Sequence, residues 1–236
     1  MAKQQSSGKC QVCGKSFSKG SIGRHLATCR KSLVEGNTQE SIGPSVHIVV
    51  ESAGSKDYWL HLEASANMTL GDLDAFLRDI WLECCGHMSG FEFPRPKRPK
   101  GHDFWNSPAS DDYLDQLPDE PGEEFDLSIA EGLPLKQSVR YTYDYGSSTN
   151  LTVRGIENYE NAANADGITL LARNDAPEIP CGVCGKPATK LCIDCSSEPD
   201  GWLCNDCAKS HECDAELMVS IANSPRVGVC GYTGND

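Results

Sequence analysis

No apolar run approaches the ~18 residues of a membrane-spanning helix, and the first residues lack the apolar stretch of a secretory leader. A cytoplasmic chain with no membrane partner is therefore expected. Catalytic signatures are missing as well: there is no Gly-Lys-Ser/Thr phosphate loop, no Gly-x-Ser-x-Gly elbow and no His-Glu-x2-His helix. No catalytic residue is assigned, and the expectation is a protein that is not an enzyme. Apolar residues make up only 39% of the 236, which would underfill one large core and predicts several small units. Residues 1 to 34 contain no Asp or Glu but seven Lys or Arg, so the rest of a chain of net charge −13 carries about −20. Net acidity argues against the whole protein coating nucleic acid, while the basic tip can still meet phosphate locally.

Cysteine, by contrast, is abundant. Thirteen are present, an odd number, and Cys-x2-Cys recurs. In a reducing compartment that pattern points to metal thiolates over disulfides. Near the start, Cys10-x2-Cys13 is followed after eleven residues by His25-x3-Cys29, with Phe17 and Ile22 between the pairs. The first pair suits a tight Cys-x-x-Cys-Gly turn and the second the successive turns of a helix, so four ligands converge on one tetrahedral zinc. The segment resembles a ββα finger of the two-cysteine, two-histidine type, with a terminal Cys in place of the last His. Gly20 and Gly23 weaken its helix by roughly 1 kcal/mol each, against an apparent metal-binding free energy of ~10–16 kcal/mol. Lys15, Lys19, Arg24, Arg30 and Lys31 are the candidate phosphate contacts of this finger.

Toward the C-terminus, Cys181-x2-Cys184, Cys192-x2-Cys195, Cys204-x2-Cys207 and His211-x-Cys213 supply four ligand pairs, enough for two zinc ions. The gaps between the first three pairs permit either sequential or interleaved pairing. The spacing resembles MYND and B-box modules, and that resemblance implies that the first and third pairs share one metal and the second and fourth another. Cys230 is an alternative to Cys213. Three zinc ions are expected in all, each in a closed site that leaves no position for a reactive water.

Between these ends, Val46, Ile48 and Val50 alternate with His47, Val49 and Glu51, and Tyr58, Leu60 and Leu62 alternate again after a turn, which predicts a hairpin. Thr69 and Asp72 form a capping-box pattern ahead of Leu70, Leu73, Phe76, Leu77, Ile80, Trp81 and Cys84, the apolar face of a helix of about four turns. Cys84, Cys85 and His87 could form another metal or thiol site, but Cys84 lies on that apolar face and is read as a packing residue, with Cys85 and His87 as bystanders. Val139, Tyr141, Tyr143 and Tyr145 share one face of a second hairpin and are assigned to the core, and Ile168 to Leu171 form a last strand. The predicted organisation is a zinc finger over 1–33, a tether over 34–45, an α+β domain of two layers over 46–173, a linker over 174–180 and a double-zinc module over 181–236. A proline-rich and acidic insertion over 94–131 is read as solvated.

Trp59-Leu-His-Leu-Glu63, Leu70-Gly-Asp-Leu-Asp-Ala-Phe-Leu77 with Trp81, and Tyr141-Thr-Tyr-Asp-Tyr-Gly146 resemble the Ri-plasmid open-reading-frame-three-like family. The resemblance implies a fold and not an activity. The functional expectation is a zinc-binding, non-enzymatic adaptor with a protein partner. The alternatives are a nucleic-acid-associated factor of a mobile element acting through residues 1–33, and an uncharacterised enzyme near Tyr143 and Asp144.

Overall fold

The structure is a computed structural model that describes residues 6–35, 43–94, 122–164 and 167–234. Most of the tether and the stretch 95–121 of the insertion lie outside the described residues. In chain order the elements begin with β1 (Ser7–Cys10), β2 (Ser16–Ser18), α1 (Lys19–Cys29) and α2 (Lys31–Glu35), followed by β3 (Ser45–Ser52), β4 (Trp59–Ser65), α3 (Leu70–Leu77) and β5 (Ser89–Glu92). Next come α4 (Ile129–Gly132), β6 (Val139–Tyr143), β7 (Thr149–Tyr159) and β8 (Ile168–Asn174). The C-terminal part holds β9 (Lys190–Cys192), β10 (Trp202–Leu203), α5 (Asn205–Ala208) and β11 (Met218–Ser220).

The α+β expectation holds. Eight antiparallel strands form one sheet in the order β2-β1-β8-β4-β3-β7-β6-β5. Both expected hairpins are present, as β3–β4 and β6–β7. Helix α3 begins at the anticipated capping box: the Thr69 hydroxyl accepts from the Asp72 backbone N–H at 3.1 Å, and the Thr69 N–H donates to the Asp72 carboxylate at 2.8 Å. After Leu77 the helix loosens into a π-turn, Arg78–Leu82, before the chain turns away. Leu70, Leu73, Leu77 and Trp81 pack on Val46, Ile48, Val50, Leu60 and Leu62 to make the main core.

The opposite face is also covered. Every residue of β4 is buried, because alternation sends Leu60, Leu62 and Ala64 toward α3 and Trp59, His61 and Glu63 toward the finger. Trp59 packs with Ile22, Leu26, Leu171 and Ala172. Strand β1 pairs with β8, Gly8 opposite Asn174 and Cys10 opposite Ala172, so the finger hairpin extends the sheet and α1 adds a third layer. The two-layer expectation is thus incomplete, because the finger covers part of the outward face of β3 and β4, Arg30 meeting Glu63 and Lys19 meeting Glu51.

Three further differences have local causes. Tyr141 and Tyr143 are core residues as expected, but Tyr145 is 61% exposed. The intervening Asp144 takes φ 63°, which ends the strand alternation. Part of the insertion, read as solvated, is ordered: a 3₁₀ turn (Glu123–Asp126) and α4 place Ile129 and Leu133 in the main core, with Phe125 and Leu127 packed against it. Its acidic residues concealed that apolar spacing. Strand β5, pairing with β6, was not anticipated in the short segment after Cys85.

Candidate metal centres

All twelve ligands expected from the sequence come together in three groups: Cys10, Cys13, His25 and Cys29; Cys181, Cys184, Cys204 and Cys207; and Cys192, Cys195, His211 and Cys213. The four potential ligand atoms of each group lie within 4.8 Å of one another. The C-terminal pairs interleave, first with third and second with fourth. Cys213 takes the fourth position of its group, and Cys230 lies elsewhere.

Local backbone explains the convergence. Cys10 and Cys181 each open the same knuckle: the Gly14 and Gly185 N–H groups donate to the carbonyls of Cys10 and Cys181, both at 2.8 Å, and the two glycines adopt φ 71° and 74°. The second ligand pair of the finger comes from α1, where His25 and Cys29 sit one turn apart and Phe17 stacks on the His25 ring at 4.0 Å. In the C-terminal module, α5 carries Cys207, while the three-stranded sheet β10-β9-β11 carries Cys192 on β9. Leu203 is fully buried beside Cys181 and Cys204.

The spacings match a tetrahedral ion. Zinc–sulfur bonds of ~2.3 Å imply sulfur–sulfur edges of about 3.8 Å, and a zinc–nitrogen bond of ~2.05 Å implies a mixed edge of about 3.6 Å. The Sγ–Sγ separations are 3.9 Å for Cys10–Cys29, 3.6 Å for Cys184–Cys204 and 3.7 Å for Cys195–Cys213, and Cys13 Sγ lies 3.3 Å from His25 Nε2. A disulfide would need about 2.05 Å. His211 Nε2 is buried with no hydrogen-bond partner among the described residues, which fits a nitrogen reserved for a metal.

Proton sharing among the thiols points the same way. Burial, with the adjoining Cys13 and Cys10 sulfurs, pushes Cys29 up to about 12. Hydrogen bonding to Cys213 and Cys192 drives Cys195 to about 12, and contact with Cys184 and Cys204 does the same for Cys207. Burial raises Cys181, yet backbone donors around Cys204, Cys184 and Val183 outweigh it and bring the thiol down to about 6. Cys13 is lowered where Cys29 is raised, and Cys181 and Cys204 are lowered where Cys207 is raised, so in these two groups favoured thiolate sits beside retained protons; crowded negative sulfurs repel, and a divalent cation relieves that repulsion.

The basic residues of the finger divide. Arg30 is 7% exposed and donates to both Glu63 carboxylate oxygens, and Lys19 pairs with Glu51 at 2.7 Å. Neither guanidinium nor ammonium is presented as a free cation. Lys15, Arg24 and Lys31 remain exposed. Tyr143 and Asp144 are engaged internally as well: the Tyr143 hydroxyl donates to Glu83 at 3.1 Å, and Asp144 accepts from Arg226 at 2.7 Å. That arginine, with the Ser147 and Gly146 N–H groups, holds the Asp144 carboxyl down to about 2.

A fourth group stands outside the twelve expected ligands: Cys84, Cys85, His87 and Cys230, whose ligand atoms also lie within 4.8 Å of one another. One signal was available. The twelve expected ligands use ten of the 13 cysteines, and the three left over, with one histidine, complete this set. Among the described residues no helix is long and apolar enough to cross a membrane.

The sequence matches no known protein-family profile and no curated protein. Among solved structures the chain is similar to a protein of unknown function from Methanosarcina mazei, at 17% identity and a TM-score of 0.40, over 55% of this chain and 68% of that one. A likeness at that level carries no functional argument.

Proposed function

We propose that the chain is a zinc-binding, non-enzymatic adaptor whose zinc ions hold two small modules in shape for a protein partner. The observation that carries this reading is the closure of the three expected ligand sets: four protein ligands surround each centre, so no coordination position is left for an activated water. Zinc is the ion best suited to tetrahedral sets of four cysteines, or of three cysteines and a histidine. A protein partner is favoured over nucleic acid because Glu198, Asp200, Asp206, Glu212, Asp214 and Glu216 make the C-terminal module acidic, while Arg30 and Lys19 of the finger are engaged internally. An enzyme built around Tyr143 and Asp144 is disfavoured by their internal partners. Likeness to the Ri-plasmid open-reading-frame-three-like family stays part of the proposal, supported by the core positions of Trp59, Trp81, Tyr141 and Tyr143.

The test is co-purification of the full chain, zinc-loaded and chelator-stripped. Recovery of a discrete protein by the zinc-loaded form alone is expected. Failure to recover any macromolecule, or retention of nuclease-sensitive nucleic acid that is lost on neutralising Lys15, Arg24 and Lys31, would overturn the reading.

A further inference from the structure

We propose that Cys84, Cys85, His87 and Cys230 form a fourth metal site, a clasp for a thiophilic divalent cation that fastens the C-terminal tail to the middle of the chain. Cys85 Sγ lies 3.9 Å from Cys230 Sγ, and Cys230 Sγ lies 3.5 Å from His87 Nε2. These edges agree with the ~3.8 and ~3.6 Å of a zinc tetrahedron, and with those of the other three groups. A Cys85–Cys230 disulfide would require the sulfurs to close to about 2.05 Å and would leave Cys84 and His87 unused.

Both halves of the site are held in place from outside it. On one side, the chain leaves the π-turn at Leu82 and folds through Gly86 at φ 69° into β5. Arg78 braces that loop, donating to Glu83 at 2.8 Å and to the His87 carbonyl at 2.8 Å, while the Gly86 N–H donates to Glu83 at 2.5 Å. On the other side, the tail is anchored by a fully buried Arg226, which donates to Asp144, to the Ser147 carbonyl and to Thr149. The Ser224 hydroxyl donates to the Trp81 carbonyl at 2.6 Å.

Cys230 itself adopts φ 51° between Gly228 at 81° and Gly231 at 64°. A left-handed backbone is unfavourable at a residue with a side chain, and an exposed cysteine has little packing to offset it. Ligation supplies the reason for that conformation.

The stoichiometry is the independent argument. Thirteen cysteines and the histidines His25, His87 and His211 fall into four sets of four, with no cysteine left over. The clasp differs from the other three sites in two ways. Its ligands are separated by some 145 positions, and two of its thiols, Cys85 and Cys230, are exposed. Asp144 Oδ2 stands 3.6 Å from the same His87 nitrogen, placing further negative charge beside the cation. A metal here closes a long loop and ties the module of residues 181–221 to the main core through the tail.

The inference rests on the metal-binding reading above, and metal counting separates the two. Native mass spectrometry of the full chain, purified under reducing conditions with zinc present, is expected to find four ions, and the C85S/C230S variant three. Three ions in both would overturn the clasp and leave the other sites standing; none in either would overturn both. Should the variant misfold, thiol alkylation of the wild type decides. Cys85 and Cys230, although exposed, are expected to resist iodoacetamide at least tenfold more than after chelation. Labelling at the same rate before and after chelation, or a Cys85–Cys230 disulfide in the reduced preparation, would overturn it.

Discussion

Arg30, at the end of the finger helix, donates through Nε and Nη2 to the two carboxylate oxygens of Glu63 on β4, at 2.7 and 2.5 Å, with both side chains almost wholly buried. Arg30 also donates to the Asn161 carbonyl, and Glu63 accepts from the Ser45 hydroxyl and the Ala163 N–H, each at 2.8 Å. Few lone pairs or protons are left unmet, which is the condition under which a buried ion pair holds two elements together.

Removing one partner strands the other charge without water. Arg30→Ala is therefore expected to cost about 3–5 kcal/mol in chemical denaturation. The double change Arg30→Met with Glu63→Met should cost less than the single one. A single-variant loss below about 1 kcal/mol would mean that the finger docks independently of this pair.

What the sequence made legible was short in range. The Cys-x-x-Cys turns, the Thr69–Asp72 cap and the alternation of β3, β4, β6 and β7 depend on neighbours within a few residues, and all are found as read. The pairing of Gly8 with Asn174, the Arg30–Glu63 contact and the meeting of Cys230 with His87 span long stretches of chain, and no local pattern encodes them. Arg30 read as a free cation because charge, and not its distant partner, is what a sequence displays. Cys84 read as a packing residue and does pack against the main core; its meeting with Cys230 is the long-range part that no local pattern shows.

A pH effect follows from the same interface. His47 Nε2 and His61 Nδ1 are 3.0 Å apart and buried, so one ring must donate and the other accept. Burial holds His47 down to about 4, and burial together with the neighbouring His47 holds His61 down to about 3. An unfolded chain protonates these rings near 6.5 while the folded one does not, so their contribution is complete above about pH 6.5. It is lost progressively as pH falls from there toward about 4 for His47 and about 3 for His61. Imidazole nitrogen shifts in NMR are expected to show both rings neutral at pH 5.5; protonation of either near 6.5 would contradict the buried pair.

Metal removal should act unevenly. The C-terminal module has only a three-stranded sheet and a core of Cys181, Leu203 and Cys204, too little apolar burial to fold unaided. An apparent ~10–16 kcal/mol per structural zinc supplies the difference. Chelation is expected to open residues 181–221 to proteolysis at least tenfold faster, while the segment containing β3, β4, β6 and β7 stays resistant. Equal cleavage of both regions would show that the large sheet depends on metal as much as the small module does.

Interleaving makes a separate demand on the cysteines. Cys184 shares its group with Cys204 and Cys207, and Cys195 shares its group with His211 and Cys213. With Cys184→Ser, Cys204 and Cys207 should become reactive toward alkylation while Cys192 and Cys213 stay protected; Cys195→Ser should reverse the pattern. Sequential pairing would instead deprotect Cys192 in the first variant and leave Cys207 untouched.

Gly8 tests the join between finger and sheet without touching a ligand. A Cβ there would lie 2.2 Å from the Arg173 carbonyl oxygen and 2.6 Å from the Trp59 ring. The carbonyl belongs to β8, which pairs with β1, and the Trp59 indole is held by its Nε1–H donating to Ser6 at 2.9 Å, so neither neighbour can retreat alone. Gly8→Ala is expected to destabilise the protein by about 1–3 kcal/mol through overpacking. Its zinc content should not change, because Cys10, Cys13, His25 and Cys29 close their knuckle and helix within the finger. Calorimetry with metal counting on the same sample separates the two quantities. A loss of one zinc with unchanged melting would place Gly8 in the metal site and not in the join.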